Sequence, residues 1–341
     1  MSKVLLLLTG GTISMVQDAD SGALRPADEQ TFRRSVPELN NIDVDIIAFT
    51  PLLDSSDVNP ECWSRMASII YDHYDAYDGF VIAHGTDTMS YSASALSWML
   101  ENLQKPVVLT GSQIPVGVLR SDAKENLLTA IEIAGAKDED GEAIVPEVTI
   151  YFEGRLFRGN RTTKRNAEHF SAFNSYNYPP LAKAGVHITY QPHLVHYSDP
   201  SLPLKLHIQC DTNVALLKLF PGITEPVVSS ILATPGLRGV ALETFGSGNA
   251  PTAKWLTRLL ADAVKRGIVI VSKTQCSTGS VEMGRYETSV GLMQAGVLSG
   301  YDITTEALVT KMMYLFGECG DDTERVKQLL QTNLCGEMTI D

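Results

Sequence analysis

Thr12 ends the run Val4-Leu5-Leu6-Leu7-Leu8-Thr9-Gly10-Gly11, Thr86 and Asp87 sit within His84-Gly85-Thr86-Asp87-Thr88-Met89, and Lys164 closes Arg161-Thr162-Thr163-Lys164. A hydroxyl, a carboxylate and an ammonium are the parts of an acyl-transfer site. A threonine hydroxyl is a poor nucleophile near neutral pH, so it needs a base to take its proton and donors for the developing oxyanion. Thr86, Asp87 and Lys164 suffice as a relay: a partly desolvated ammonium has its pKa lowered and acts as base through a hydroxyl, with the carboxylate holding it. Backbone N–H groups around Gly11 are candidate oxyanion donors. Plainer readings of the same residues stay open at this point. Thr12 caps a tight turn or lines a small anion nest, Asp87 or Thr88 caps the next helix, and His84 is a structural histidine bonded to backbone. Asp54-Ser55-Ser56-Asp57 is likewise a ligand loop, a cap for the helix that starts near Pro60, or both.

The elements that must carry these groups repeat one plan of strand, polar turn and helix. Five contiguous apolar residues, Val4 to Leu8, read as a strand buried on both faces, and Gly10-Gly11 lets the backbone turn tightly beside a ligand. Val44 to Phe49, Gly79 to Ala83, Pro106 to Leu109 and Val148 to Phe152 are further strands, the last running on towards Arg158 and Lys164. Leu96, Met99, Leu100 and Leu103 give the helical period after His84 to Met89. Strands alternating with helices imply a mainly parallel sheet whose ligands bind beyond the carboxyl ends of its strands. That rule brings Thr12, Ser55, Ser56, Thr86, Asp87 and Lys164 towards one place. Asp18 to Asp28, rich in Gly, Pro and Asp, reads as a loop beside Thr12, either a lid or an inert surface loop. Prolines at 179, 180, 192, 200 and 203 mark a linker, after which Val214 to Leu219, Gly239 to Leu242 and Ile268 to Val271 resume the strand plan. The expected fold is α/β: a larger N-terminal domain over 1–190 with a flavodoxin-like, mainly parallel sheet, a linker over 191–211, and a smaller parallel-sheet domain over 212–341.

Composition narrows the function classes. The chain has 341 residues, 44% hydrophobic and 20% charged, the profile of an ordinary globular protein with a sizeable core. A net charge of -13 repels polyanions, and no basic run tracks phosphates, so no nucleic-acid partner is expected. Five cysteines, Cys62, Cys210, Cys276, Cys319 and Cys335, are odd in number, far apart and without a CxxC pair, as for reduced thiols. His187, His193, His196 and His207 show no metal-ligand spacing. The apolar start is too short for a signal-peptide core and no run reaches a bilayer's width, so a cytoplasmic location without membrane contact is expected.

Thr9-Gly-Gly-Thr12-Ile, His84-Gly-Thr-Asp-Thr-Met89, Thr110-Gly-Ser-Gln113 and Arg161-Thr-Thr-Lys164 together resemble the bacterial-type L-asparaginases. The likeness extends to Gly246-Ser-Gly-Asn-Ala-Pro251 and Thr274-Gln-Cys276 and is nearest to the cytoplasmic type I enzymes. It implies hydrolysis of L-asparagine to L-aspartate and ammonia without metal or cofactor, in a homotetramer built as a dimer of dimers. It also implies that Thr12 is the nucleophile of an acyl-enzyme, that Thr86, Asp87 and Lys164 form the second catalytic group, and that Asp54, Ser55, Ser56 and Asp87 bind the α-carboxylate and α-ammonium.

Two departures stand out. The loop that in many members holds a tyrosine beside the nucleophile reads Gly22-Ala23-Leu24-Arg25-Pro26, so either Thr12 is activated without one or Tyr286 serves from a neighbouring subunit. Type I relatives can bind an allosteric asparagine near Thr274-Gln275-Cys276 with help from an arginine, and that position here is Glu243, which cannot pair with a carboxylate as a guanidinium does. An amidotransferase subunit of related fold and a non-catalytic asparagine or aspartate sensor are the competing classes. Ammonia release separates them.

Overall fold

The computed structural model describes residues 2–17, 24–26, 29–284 and 287–340, and the chain divides into two compact units, Met1–Ile208 and Gln209–Asp341. In the first unit β1 (Val4–Gly10), β2 (Val44–Leu53), β3 (Gly79–Ala83), β4 (Val107–Thr110) and β5 (Val148–Phe152) run parallel in the order β2-β1-β3-β4-β5. Helices α1 (Glu29–Ser35), α2 (Pro60–Asp72), α3 (Met89–Met99) and α4 (Ala123–Ala134) occupy the connections. Every residue of β1, β3, β4 and β5 is buried, which is what contiguous apolar strands demand of a sheet covered on both faces. Val4, Leu6 and Leu8 join Val81, Ala83, Val108 and the α4 residues Leu127, Ala130 and Ile131 in one core. Their fully buried neighbours Leu5, Leu7, Phe80, Ile82 and Leu109 alternate to the opposite face. The strand order reverses between β1 and β3, and it is at such switch points, beyond the carboxyl ends of the strands, that sheets of this kind bind ligands.

Beyond β5 the chain departs from the expected course. Glu153 and Gly154 have φ of 47° and 72°, the paired positive values of a two-residue hairpin turn, and the chain returns antiparallel as β6 (Arg155–Arg158). Strands β7 (Ala182–Ala184) and β8 (Ile188–Tyr190) extend the sheet antiparallel. Lys164 therefore does not follow the end of β5. It lies on a separate two-residue strand, Thr163–Lys164, paired antiparallel with Phe173–Asn174.

Residues 191–208, set aside as linker from their prolines, belong to the first unit. The buried Arg158 guanidinium donates through Nε to Glu147 Oε2 at 2.6 Å and through Nη2 to Leu194 O at 2.8 Å, while His196 N–H donates to Glu147 Oε1 at 2.5 Å. Further along, Lys205–Leu206 pairs antiparallel with Leu100–Glu101. Of the 18–28 loop only Leu24–Pro26 is described, paired antiparallel with Met15–Gln17.

The second unit holds a four-stranded sheet, β9 (Val214–Lys218), β10 (Gly239–Thr244), β11 (Val269–Thr274) and β12 (Leu298–Ser299), parallel and in that order. Helices α5 (Glu225–Leu232), α6 (Lys254–Lys265), α7 (Glu287–Gln294), α8 (Thr305–Cys319) and α9 (Thr323–Leu330) complete it. Lys311 on α8 is fully buried and donates to Glu337 Oε1 at 2.5 Å and to Thr332 O at 2.7 Å. Glu337 also accepts from Leu334 N–H at 3.0 Å and Cys335 N–H at 2.9 Å, so the C-terminal segment is fixed onto that helix.

Candidate active site

Three turns meet at the switch point because glycine lets them. Gly11, at φ 74° and ψ 179°, lies so close to the next turn that a Cβ on it would sit 2.2 Å from Gly85 Cα. A Cβ on Gly85 would sit 2.6 Å from both Cβ and Oγ of Ser55 and 3.2 Å from Gly11 Cα. Gly11 N–H donates to Leu53 O at 3.0 Å. The turns after β1, β2 and β3 are thus stacked with almost no side chain between them, and Thr12, Ser55 and Thr86 each adjoin the stack. Thr12–Ser14 forms a single 3-10 turn with Gly11 at its N-cap and no capping bond from a described side chain, so the turn's geometry does not call on a cap.

Lys164 reaches across to the β3 turn. Its Nζ donates to Thr86 Oγ1 at 2.8 Å and to Asp87 Oδ1 at 2.7 Å. The lysine side chain is 17% exposed and the aspartate 66%, so the ammonium is sheltered while the carboxylate faces solvent. Thr88, the N-cap of α3, spends its hydroxyl on Ser55 O at 2.7 Å, tying the β2 and β3 turns together instead of capping. Asp54 caps the short turn Ser55–Asp57 by accepting from Ser56 N–H at 2.9 Å and Ser56 Oγ at 2.7 Å. Those two donors hold the Asp54 carboxyl below the usual carboxylate range, keeping it ionised. The helix that starts at Pro60 is capped instead by Asn59, whose Oδ1 accepts from Cys62 N–H at 3.1 Å, so Asp54 caps only its own short turn and not that helix; Asp54 and Ser56 are exposed while Ser55 is buried.

His84 is fully buried and takes the structural role. Nδ1 lies 2.7 Å from Gly85 O, Nε2 lies 2.9 Å from Ser92 Oγ, and Trp63 Nε1 donates to the same Ser92 Oγ at 3.0 Å. One tautomer satisfies this chain: Nδ1–H donates to Gly85 O, and Nε2 accepts from Ser92 as Ser92 accepts from Trp63. Burial pushes the imidazole pKa down, keeping it neutral. Sequence reasoning missed the Thr88 tether and the Ser92–Trp63 pair. The first was visible only as a threonine in a quoted motif, and the second arises from α2 packing against α3, which no local signal announces.

Tyr286 lies outside the described residues. Glu243, Thr274, Gln275 and Cys276 all belong to the second unit, where the Cys276 thiol is exposed and several of the other polar groups are engaged. Buried Glu243 accepts from Thr305 Oγ1 at 2.7 Å, with Lys218 Nζ 3.3 Å from its other oxygen. Gln275 Nε2 donates to Leu219 O at 2.6 Å and Glu243 O at 2.8 Å, and Cys276 N–H donates to Thr274 Oγ1 at 3.0 Å. Burial pushes the Lys273 pKa down, partly offset by the Glu243 charge. Among the described residues no group of three or more His, Cys, Asp and Glu side chains is placed to hold a metal ion, and no helix is long and apolar enough to cross a membrane.

Comparison with known proteins agrees across both units. Residues 3–196 match the family model for the asparaginase N-terminal domain, and residues 213–330 match that for the glutaminase/asparaginase C-terminal domain. L-asparaginase 1 of Escherichia coli (strain K12) is 44% identical over 348 aligned residues, covering 99% of this chain and 98% of the relative. Among solved structures, L-asparaginase I from Vibrio cholerae aligns with a TM-score of 0.90 and 41% identity over 99% of each chain. The thermostable L-asparaginase from Thermococcus kodakarensis aligns with a TM-score of 0.88 and 31% identity, covering 99% of this chain and 100% of that one.

Proposed function

Because this chain belongs to the asparaginase family and is an L-asparaginase, we propose that it hydrolyses L-asparagine to L-aspartate and ammonia through Thr12 and a covalent acyl-enzyme. The observation that carries this reading is the ammonium of Lys164 within hydrogen-bond reach of both Thr86 Oγ1 and Asp87 Oδ1, on a turn stacked against the one that presents Thr12. In the proposed reaction Thr12 Oγ attacks the side-chain amide carbon, the proton it gives up is passed to the amide nitrogen, the C–N bond breaks as ammonia leaves, and the aspartyl ester on Thr12 remains. A water molecule, relieved of a proton by Thr86 with Lys164 in its neutral amine form behind it, then attacks the ester and frees Thr12. Asp87 stabilises Lys164 whenever it carries charge. Asp54 faces the substrate's α-ammonium, the hydroxyls of Ser55 and Ser56 its α-carboxylate, and Asp87 shares in binding. A free amino acid carries both charges, which suits a loop mixing carboxylates with hydroxyls.

The remaining parts of the reading are a homotetramer, a cytoplasmic location, no cofactor, and Tyr286 as the activating group for Thr12 supplied by a neighbouring subunit. Ammonia release from asparagine and glutamine, measured on wild type and Thr12→Ala, tests the chemistry. No release from either amide defeats the hydrolase reading, and wild-type turnover by Thr12→Ala removes the threonine nucleophile. Unchanged kcat in Tyr286→Phe removes that tyrosine.

A further inference from the structure

Thr110-Gly111-Ser112-Gln113 helped to carry the family resemblance, yet Gln113 has no part in the chemistry above. The turn that holds it is fixed from the α4 side. The Asp122 carboxylate accepts from Gln113 N–H at 3.0 Å and 3.1 Å and from Ile114 N–H at 3.0 Å. Asn126 Nδ2 donates to Gly111 O at 3.0 Å and to Asp122 Oδ2 at 3.2 Å. From this anchored turn the Gln113 amide nitrogen donates outward to two carbonyls, Ala167 O at 3.2 Å and His169 O at 3.0 Å.

Both carbonyls sit at the tip of the hairpin that carries Lys164. At its base Lys164 pairs with Phe173, and Arg165 N–H donates to Ala172 O at 2.8 Å. Within it, Asn166 Oδ1 accepts from Glu168 N–H at 2.8 Å and His169 N–H at 3.0 Å, while the Arg165 guanidinium donates to Ser171 O at 3.1 Å and Ser171 Oγ at 2.6 Å. So many internal bonds make the hairpin a stiff lever with the lysine at one end and Gln113 holding the other. Lys164 must meet two acceptors at once, Thr86 Oγ1 and Asp87 Oδ1, and a small rotation of the lever breaks that double contact.

We propose that Gln113 is a positioning residue for the reaction, holding the 165–172 hairpin so that Lys164 Nζ stays within reach of Thr86 and Asp87. The inference rests on the reading of Lys164 as the relay base. Gln113→Leu and Gln113→Glu both remove the amide donor, and the second keeps the side chain's length and volume, so it decides the matter if the leucine variant fails to fold. Misplacing a catalytic group by about 1 Å costs on the order of a hundredfold, so kcat for ammonia release from asparagine is expected to fall about tenfold to a hundredfold. KM is expected to stay within about threefold, because the substrate-binding turns are untouched. Hydrogen exchange at the Arg165 amide rises in both variants. In a Lys164→Met background Gln113→Leu produces no further loss of rate, since the lever then has nothing to position. Unchanged kcat, a raised KM at unchanged kcat, or a further loss in the Lys164→Met background each overturns the proposal. Wild-type turnover by Lys164→Met itself defeats the relay reading instead, and that result is distinct from intact Gln113 variants beside an inactive Lys164→Met.

Discussion

Replacing Gly85 by alanine tests whether the stacked turns position the chemistry. The new methyl carbon would sit 2.6 Å from Ser55 Cβ and Oγ, against about 3.5 Å for an ordinary carbon contact, so the two turns must part by roughly 0.9 Å. Ser55 cannot retreat freely, since its carbonyl accepts from Thr88 Oγ1 at 2.7 Å and from Val58 N–H at 3.3 Å. Overpacking of this kind costs about 1 to 3 kcal/mol, which in a unit of this size lowers Tm by about 2 to 12 °C. Displacement of the neighbouring Thr86 by most of an ångström predicts a fall in kcat of about tenfold to a hundredfold. Initial rates of ammonia release and differential scanning calorimetry read the two effects separately. Ser55→Gly removes both clashing atoms, so the double variant Gly85→Ala/Ser55→Gly should recover Tm relative to Gly85→Ala alone. Kinetics within about threefold of wild type in Gly85→Ala would refute the reasoning, because the turns would then tolerate separation without penalty.

Three further outcomes are expected. His84 is held neutral by burial, so the unfolded chain, with an imidazole pKa of about 6.5, binds the proton first as pH falls. Stability is then full above about pH 6.5 and declines below it by at most about 1.4 kcal/mol per pH unit; urea unfolding between pH 7 and 5 should show a shallower decline in His84→Gln, and parallel slopes would exclude His84 as the source. Lys311→Met strands the buried Glu337 carboxylate and should cost about 3 to 5 kcal/mol in denaturant unfolding, whereas a loss below about 1 kcal/mol would show the pair to be dispensable. Rate against asparagine concentration should be hyperbolic, since Glu243 offers a carboxylate where an effector carboxylate would need a cation; a sigmoidal curve would restore an activating site.

Much of the architecture was legible in local pattern. Val4 to Leu8 is a fully apolar strand that ends in two glycines, and the rule that ligands gather beyond the carboxyl ends of parallel strands led to the neighbourhood of Thr12, Ser55 and Thr86. The return after β5 was also written in the sequence, in Phe152-Glu153-Gly154-Arg155, but an acidic residue followed by glycine is a weak turn signal beside so continuous an apolar run. The prolines between 179 and 203 suggested a loose connection. What fixes part of that stretch is the Glu147 carboxylate, which collects donors from Arg158 and from His196, and partners so far apart in sequence leave no periodicity to read. Lys311 carries no sequence signal of its burial, because its counterion Glu337 is 26 positions away. Candidate reactive groups could therefore be named from sequence, while the distances between them depended on packing.

Lys164 joins the β3 turn by hydrogen bonds that span 78 and 77 residues, and it does so from a hairpin whose second strand is Phe173–Asn174. During synthesis the ribosome delivers Thr12 and Thr86 long before it delivers this lysine, and a nascent chain that has already laid down β1 to β5 lacks the contact that the proposed relay needs. On the proposed mechanism, recovery of turnover after denaturation marks the docking of that late hairpin, not the formation of the sheet beneath it. Closing so long a loop is slow relative to local contacts. Activity is thus a stringent clock for the completion of the first unit, and spectroscopic recovery of secondary structure should run ahead of it.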